Sequence, residues 1–440
     1  MYSQRSSWLY VAPSSHFSLA NIPFGIISTS ANATLRPAVA IGEYVLDLKA
    51  FSQGNGFSGD LNIREILGDS FQQCNLNAFA ALGRPFHRKV RAYLQEILAT
   101  DTKYPQLLKN NTNLREMAIL RLADVTNHVP MAIGDYTDFY AGKHHAYNVG
   151  ALFRGPSNAL QPNYTHLPVA YHGRASSIVV SGTSIRRPWG QVVLDPVAEP
   201  KIPSFTPSQK LDFELELGMF VCSSNQLGHP IPVSKADDYI FGYVLLNDWS
   251  ARDVQAWEYV PLGPFTAKNL GSSISPWIVL ADALEEYKTR GIENRTSYAQ
   301  YLEQPVEVKE KSVLRVDLEV ELISASGNKS IISRSSTRYM MWSWAQMITH
   351  HTVTGCNLRT GDFLGSGTIS GPNEGTEGSM LEQTQDGKSN IMIGGDEARQ
   401  FLEDGDTVII RGVAGKDGAL VGFGEVAGMI KPAVPKSTFY

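Results

Sequence analysis

Two patterns of apolar residues divide the chain. Short strand-like runs, Ile22 to Ile27 and Val39 to Leu48, open it. A stretch from Arg84 to Leu98 follows in which Phe86, Val90, Leu94, Ile97 and Leu98 recur at helical spacing. This predicts a small β-rich region with appended helices, closed by the polar segment Thr100 to Thr112 and a boundary near Pro130. Beyond it the apolar runs are many, short and separated by Gly and Pro. Leu211-Asp212-Phe213-Glu214-Leu215-Glu216-Leu217 alternates strictly, which predicts a strand whose three acids share one face. Ile240 to Leu246 and Pro276 to Leu280 are nearly unbroken apolar runs, as in strands covered on both faces. Val313 to Ser324 and Lys329 to Ser333 flank Gly327-Asn328 as a hairpin, and Thr407 to Arg411 and Ala419 to Ile430 follow turns at Asp404-Gly405 and Asp417-Gly418. A helix is expected from about Arg338 to His351, with Ser335, Ser336 or Thr337 as N-cap and Gly355 just past its end. Strands outnumber helices and do not alternate with them, which favours a mainly β sandwich or roll with some α over a doubly wound α/β sheet.

At 440 residues the chain exceeds the roughly 250 to 300 that one core usually holds, so two domains are expected, 1–129 and 130–440. Lys plus Arg number 38 against 43 Asp plus Glu, a formal charge of −5 with no run of like charge. That balance leaves no footprint for nucleic acid or an anionic membrane, and a small molecule is the expected partner. Met1 to Phe17 is polar and broken by Pro13, and no apolar stretch approaches the roughly 20 residues that span a bilayer. Neither secretion nor anchoring is expected. Cys74, Cys222 and Cys356 are odd in number and lack Cys-x-x-Cys spacing, which points away from a disulfide framework or a zinc site and toward a reducing, cytoplasmic location.

The residues suited to chemistry fall into three groups. The first is acidic: Glu214 and Glu216 on one strand face, Asp248 after a buried run, and Asp135 and Asp138 in one short segment. Converging carboxylates suit a hard divalent cation, Mg²⁺ or Ca²⁺; spacing alone serves equally for a solvated sheet face. Asp317-Leu318-Glu319-Val320-Glu321 alternates just as well and is assigned to solvent. The second group is His144-His145, close after Tyr136, Phe139 and Tyr140, with Arg154 nine residues on; His172 and His350-His351 are further candidates. The third is Asn247 to Gln255, where helical spacing would place Asp248, Arg252 and Gln255 on one face, or pair Asp248 with Arg252 locally. Gly365 to Gly371 is glycine-rich but lacks the Lys and helix of a phosphate-binding loop, and it lacks the strand–turn–helix frame of a serine nucleophile.

Several segments together resemble the fumarylacetoacetase family: Asp135 to Tyr140, Phe153-Arg154-Gly155, Leu167 to Ser177, Asp212-x-Glu214-x-Glu216, Asn247 to Asp253, Pro261 to Phe265 and Ser366 to Pro372. The likeness is collinear from about Leu122 to Met429. It implies a small SH3-like β domain followed by a larger catalytic β domain. It also implies a homodimer that hydrolyses the carbon–carbon bond of 4-fumarylacetoacetate to fumarate and acetoacetate, the last step of tyrosine and phenylalanine breakdown. By position in the motifs, Asp138, Glu214, Glu216 and Asp248 correspond to ligands of Ca²⁺ and/or Mg²⁺, with Lys268 and Ser272 bordering the cation sites. His145 corresponds to the general base and Glu382 to the acid that orients it. Arg252, Gln255 and Lys268 correspond to groups around the developing oxyanion, and Tyr140, Arg154, Tyr171, Gln255, Tyr259 and Thr368 to substrate contacts. Two alternatives stay open: a relative that hydrolyses or decarboxylates another β-diketo acid of acylpyruvate type, and a non-catalytic metal-binding protein on the same fold.

Overall fold

The computed structural model describes residues 5–195, 197–294 and 299–440. Its spine is an eight-stranded sheet. Seven of the strands run in the order Ala170–His172, Tyr136–Phe139, Phe363–Gly365, Leu215–Val221, Ile240–Asp248, Ser272–Ile274, Ile178–Val180, and Val279–Leu280 pairs with Ile240–Asp248 off this path. The strands Leu215–Val221 and Ile240–Asp248 are buried at every residue, because each face of this sheet meets a different core. Ile240, Tyr243 and Leu245 join the core of the larger part, whereas Phe241, Val244 and Leu246 join the core built by the N-terminal region. The unbroken apolar run is thus two alternating half-runs, one for each core.

The N-terminal region forms an antiparallel five-stranded sheet in the order Ile119–Arg121, Tyr44–Asp47, Asn32–Ile41, Phe24–Thr29, Val125–His128. The helix Arg84–Leu98 lies where its periodicity put it and buries Phe86, Val90, Leu94, Ile97 and Leu98. The first expected strand is shifted by two residues, to Phe24–Thr29, and the run Val39 to Leu48 is cut by a turn at Gly42, whose φ of 57° suits glycine. Of Pro276 to Leu280, only Val279–Leu280 extends as a strand of the central sheet. Ile278 instead exchanges two backbone hydrogen bonds with Phe24, stitching the regions together.

On the other face of the central sheet lies a second five-stranded sheet: Lys329–Ser336, Asp317–Ile323, Thr407–Ala414, Val421–Lys431 and Ile185–Arg186. A Cβ at Gly412 would meet Leu245 at 2.7 Å, and one at Gly428 would meet Trp249 at 2.5 Å, so the two sheets approach closely. The expected hairpin around Gly327-Asn328 is present here, and Glu319 and Glu321 face the surface, where Arg334 and Arg411 pair with them. The chain is therefore mixed, with strand exceeding helix and a larger sheet-built part following the N-terminal one.

The helix expected from Arg338 begins later, at Trp344, and runs to Thr352. Thr337 cannot act as its cap because its hydroxyl already donates to the Leu314 carbonyl and accepts from Val316 N–H. Ser343 caps it instead, in a reciprocal box with Gln346. We expect Ser343→Ala to cost about 1 kcal/mol, read as a lower thermal midpoint, with activity at low temperature retained.

Candidate active site

The register of the central sheet collects the acids. Asp138 stands opposite Gly365, Gly365 opposite Gly218, Glu216 opposite Leu246, and Asp248, the last residue of its strand, opposite Ser272. Asp138, Glu214, Glu216 and Asp248 are buried, and one oxygen from each lies within 4.8 Å of the others. Like charges at such distances repel by about 3 to 4 kcal/mol per pair at an effective dielectric constant of about 20. The cluster therefore needs positive charge.

The protein supplies part of it. Lys268 donates to Glu214 and, at 2.9 Å, to Asp248, while Arg252 Nη1 lies 2.8 Å from Glu214 Oε1. Burial alone would raise the Glu214 carboxyl, but Lys268, Arg252 and His145 hold it down at about 2. The Lys268 ammonium, which burial would lower, is held above its usual range by Asp248 and Glu214. Asp248 also accepts from the hydroxyls of Ser272 (2.6 Å) and Tyr171 (2.9 Å).

Asp138 and Glu216 are left under-neutralised. Neither forms an ion pair among the described residues, and both lean on the single N–H of Gly367, at 3.2 and 3.1 Å. Glu216 Oε1 is buried with no hydrogen-bond partner. Burial and the neighbouring Asp248 push the Asp138 carboxyl up to about 8, and burial with Asp138 raises Glu216 well above the carboxylate range. A Cβ on Gly365 would sit 2.4 Å from Asp138 and 3.2 Å from Glu216, so glycine keeps the space between them open. An oxygen-only donor set with an orphaned buried oxygen and an open cradle fits a hard divalent cation; His and Cys are absent from the cluster.

Beside the acids stands a second unit. His145 lies on the buried side of the helix Lys143–Arg154, and its Nδ1 is 2.6 Å from Glu382 Oε2. Glu382 also accepts from Asn148 (2.9 Å), Ser370 (2.9 Å) and Ser379 (2.8 Å). Burial would raise the Glu382 carboxyl, but His145 and the other donors hold it below the usual range, so it is ionised. The Nδ1 proton therefore sits between them and leaves Nε2 as the acceptor. Tyr140 packs edge-on against the imidazole, with centroids 5.5 Å apart. His144, one residue away, points about 100° around the helix, against Tyr339.

Other expectations are redistributed. Asp248 ends a strand and does not share a helix with Arg252 and Gln255, since that helix starts at Arg252. Arg252 pairs with Asp212 and Glu214, so the expected local pair with Asp248 is absent among the described residues. Asp135 is exposed and pairs with Arg359, away from the cluster. His351 bonds Thr137 and His350 bonds Tyr301, outside the site. Gln255 touches Arg252 at 3.4 Å, Thr368 is buried, Tyr259 lies on an exposed loop, and Arg154 donates to the carbonyls of Asn158 and Ala159. Sequence reading assigned no role to Asn148, Ser370 or Ser379. The glycine run at 365–371, set aside there as a phosphate loop, shapes the carboxylate cradle instead.

Residues 20–130 match the family described as fumarylacetoacetase N-terminal, and residues 136–430 match the fumarylacetoacetate (FAA) hydrolase C-terminal family. The chain is similar to the fumarylacetoacetase of Emericella nidulans, 58% identical over 431 residues that span 98% of this chain and 99% of the relative. It is also similar to that of Homo sapiens, 45% identical over 428 residues spanning 97% and 99%. Among solved structures, a fumarylacetoacetate hydrolase from Exiguobacterium antarcticum covers 93% of this chain and 99% of its own, with a TM-score of 0.50 and 16% identity, a likeness of fold. The chain belongs to the fumarylacetoacetate hydrolase family.

Two outcomes follow from the carboxylate geometry. Gly365→Ala and Glu214→Gln should each weaken Mg²⁺ or Ca²⁺ binding in calorimetry at least about tenfold, the loss expected for a disturbed ligand sphere, while Glu319→Gln, on the surface strand, should leave it unchanged. Because the raised Asp138 and Glu216 hold protons at neutral pH, a cation must displace them. Metal affinity should rise with pH up to about 8, at least tenfold per pH unit, with proton release seen as buffer-dependent binding heats. Affinity independent of pH between 6 and 8 would remove these two acids from the cation site.

Proposed function

We propose that this protein is a hydrolase that cleaves 4-fumarylacetoacetate to fumarate and acetoacetate, the terminal step of tyrosine and phenylalanine catabolism. The observation that carries the reading is a buried His–Glu pair set beside four convergent carboxylates, in a chain 45% and 58% identical along almost its whole length to fumarylacetoacetases. Asp138, Glu214, Glu216 and Asp248 would hold the cation, with Lys268 and Ser272 at its border. Bound there, a divalent ion supplies Lewis acidity that makes a 1,3-diketone fragment a feasible carbon leaving group.

The chain's own residues perform the rest. His145 Nε2, oriented by Glu382, takes a proton from water as its oxygen attacks the carbonyl carbon of the bond to be broken. The electron pair of that carbonyl moves to oxygen, and the alkoxide is received by Arg252, Gln255 and Lys268. One such preorganised donor is worth about 3 to 4 kcal/mol. Collapse of the alkoxide breaks the carbon–carbon bond, one fragment leaving as a carboxylic acid and the other as an enolate that gains a proton. Arg252 Nη2, buried and unpartnered, is suited to the alkoxide. Tyr140, Arg154, Tyr171, Tyr259 and Thr368 would contact the substrate, with Arg154 taking a terminal carboxylate through its guanidinium.

On this reading the enzyme is a cytoplasmic homodimer using Ca²⁺ and/or Mg²⁺, with an SH3-like domain over 1–129 and the catalytic domain over 130–440. It acts on a small diketo acid and engages neither nucleic acid nor membrane. No helix among the described residues is long and apolar enough to cross a membrane.

The deciding experiment follows the enedione ultraviolet absorbance of fumarylacetoacetate on adding purified protein with each metal. Loss of absorbance, faster than with acylpyruvates, is expected; no loss with either cation overturns the assignment, and undiminished activity after thorough chelation overturns the role given to the cation. His145→Ala should lower kcat by roughly 10² to 10⁴, the usual contribution of a positioned base, with cation binding intact. His144→Ala should remain within several-fold of wild type, and the opposite ranking would refute the dyad.

A further inference from the structure

Of the three acids in the alternating segment, Asp212 stands outside the carboxylate cluster. Its side chain is fully buried. Oδ2 accepts from Arg252 Nε and from Leu381 N–H, both at 2.9 Å; Oδ1 accepts from Met380 N–H at 2.8 Å and from Phe213 N–H at 2.9 Å. Met380 and Leu381 open the single turn Met380–Gln383 that carries Glu382. One carboxylate therefore grips both the segment that carries Glu382 and the arginine proposed to receive the alkoxide.

Arg252 is fixed from two sides. Asp212 takes Nε and Glu214 takes Nη1, which leaves Nη2 as the one guanidinium nitrogen without a partner, although it is buried. A short backbone pairing, with Asp212 opposite Ser250 and Leu211 opposite Ala251, sets Asp212 and Arg252 side by side. With Glu214 and Gln255 alone, both at Nη1, the planar group could pivot about that one nitrogen; acids at two different nitrogens define its plane. A misplacement of about 1 Å in such a constellation can cost about 100-fold in rate.

We infer that Asp212 is a positioning residue of the hydrolysis, setting the His145–Glu382 pair against the free Nη2 arm of Arg252 by holding both from one carboxylate. This rests on the reaction proposed above. Asp212 touches no reacting atom. Its effect is the distance and angle between the water-activating nitrogen and the alkoxide donor.

The test is a pair of double-mutant cycles. Asp212→Asn keeps the shape but turns an amide N–H₂ toward a donor. It should lower kcat about 10- to 100-fold with KM and calorimetric Mg²⁺ affinity nearly unchanged. In the Arg252→Lys and Glu382→Gln backgrounds the same change should cost less than about threefold, since coupled residues are non-additive. A purely structural role predicts the full loss again in each background, or a loss that tracks the unfolded fraction at the assay temperature; either result overturns the inference, as does near wild-type kcat. Should Asp212→Asn not fold, Asp212→Glu, which keeps the charge but is one methylene too long, is put through the same cycles. If wild-type protein fails to turn over fumarylacetoacetate, the reaction assignment falls. The grip is then judged by melting temperatures, where additive losses for Asp212→Asn and Arg252→Lys would sink it separately.

Discussion

Everything in this molecule is arranged around a concentration of buried negative charge. Four carboxylates within 4.8 Å of one another could not persist in a protein interior unless each had a specific answer to its charge. Glu214 and Asp248 are answered by Arg252 and Lys268, while Asp138 and Glu216 share one backbone N–H and favour protons that a cation would displace. The asymmetry divides the labour. The salt-bridged side fixes Arg252 and Lys268, and the under-neutralised side carries the demand for positive charge.

The two-core architecture makes such a cluster sustainable. Neighbouring strands buried on both faces hold their backbones in fixed register, so acids at their ends cannot drift apart to relieve repulsion. The N-terminal region contributes by covering the second face of the central sheet with Phe24, Phe71, Phe79 and their neighbours, which pack against Phe220 and Phe241. It thus supports the strands that carry the acids. Gly365 and Gly367 complete the frame by removing side-chain volume where carboxylates and backbone crowd together.

The groups proposed to act in the reaction reach this frame from separate places in the chain: a helix at 143–154, a helix at 252–258, a short turn at 266–268 and another at 380–383. Such segments would wander independently in a loosely built site. Here they are tied by ionised hydrogen bonds, Glu382 to His145 and Asp212 to Arg252 and the 380–383 turn, which are shorter and stronger than neutral ones.

Local pattern was enough to place the long helix at Arg84, the hairpin at Gly327-Asn328 and the faces of Asp317 to Ile323, because side-chain periodicity follows from backbone geometry alone. The strand expected over Leu211 to Leu217 instead breaks at residues 213–214, and Asp212 pairs in a separate two-stranded sheet, outside the cluster that Glu214 and Glu216 join. The family resemblance added the pairing of His145 with Glu382, residues 237 positions apart. What alternation cannot encode is the material that covers a face. Asp317 to Glu321 and Asp212 to Glu216 read alike, yet the first meets surface arginines across a two-layered edge while the second is enclosed between two cores. The same limit explains the displaced helix start at Trp344, decided when strand residues claimed Thr337, and the separation of Asp135 from Asp138. Burial, partner and charge state are set by contacts between distant segments, and those exist only once the chain has folded.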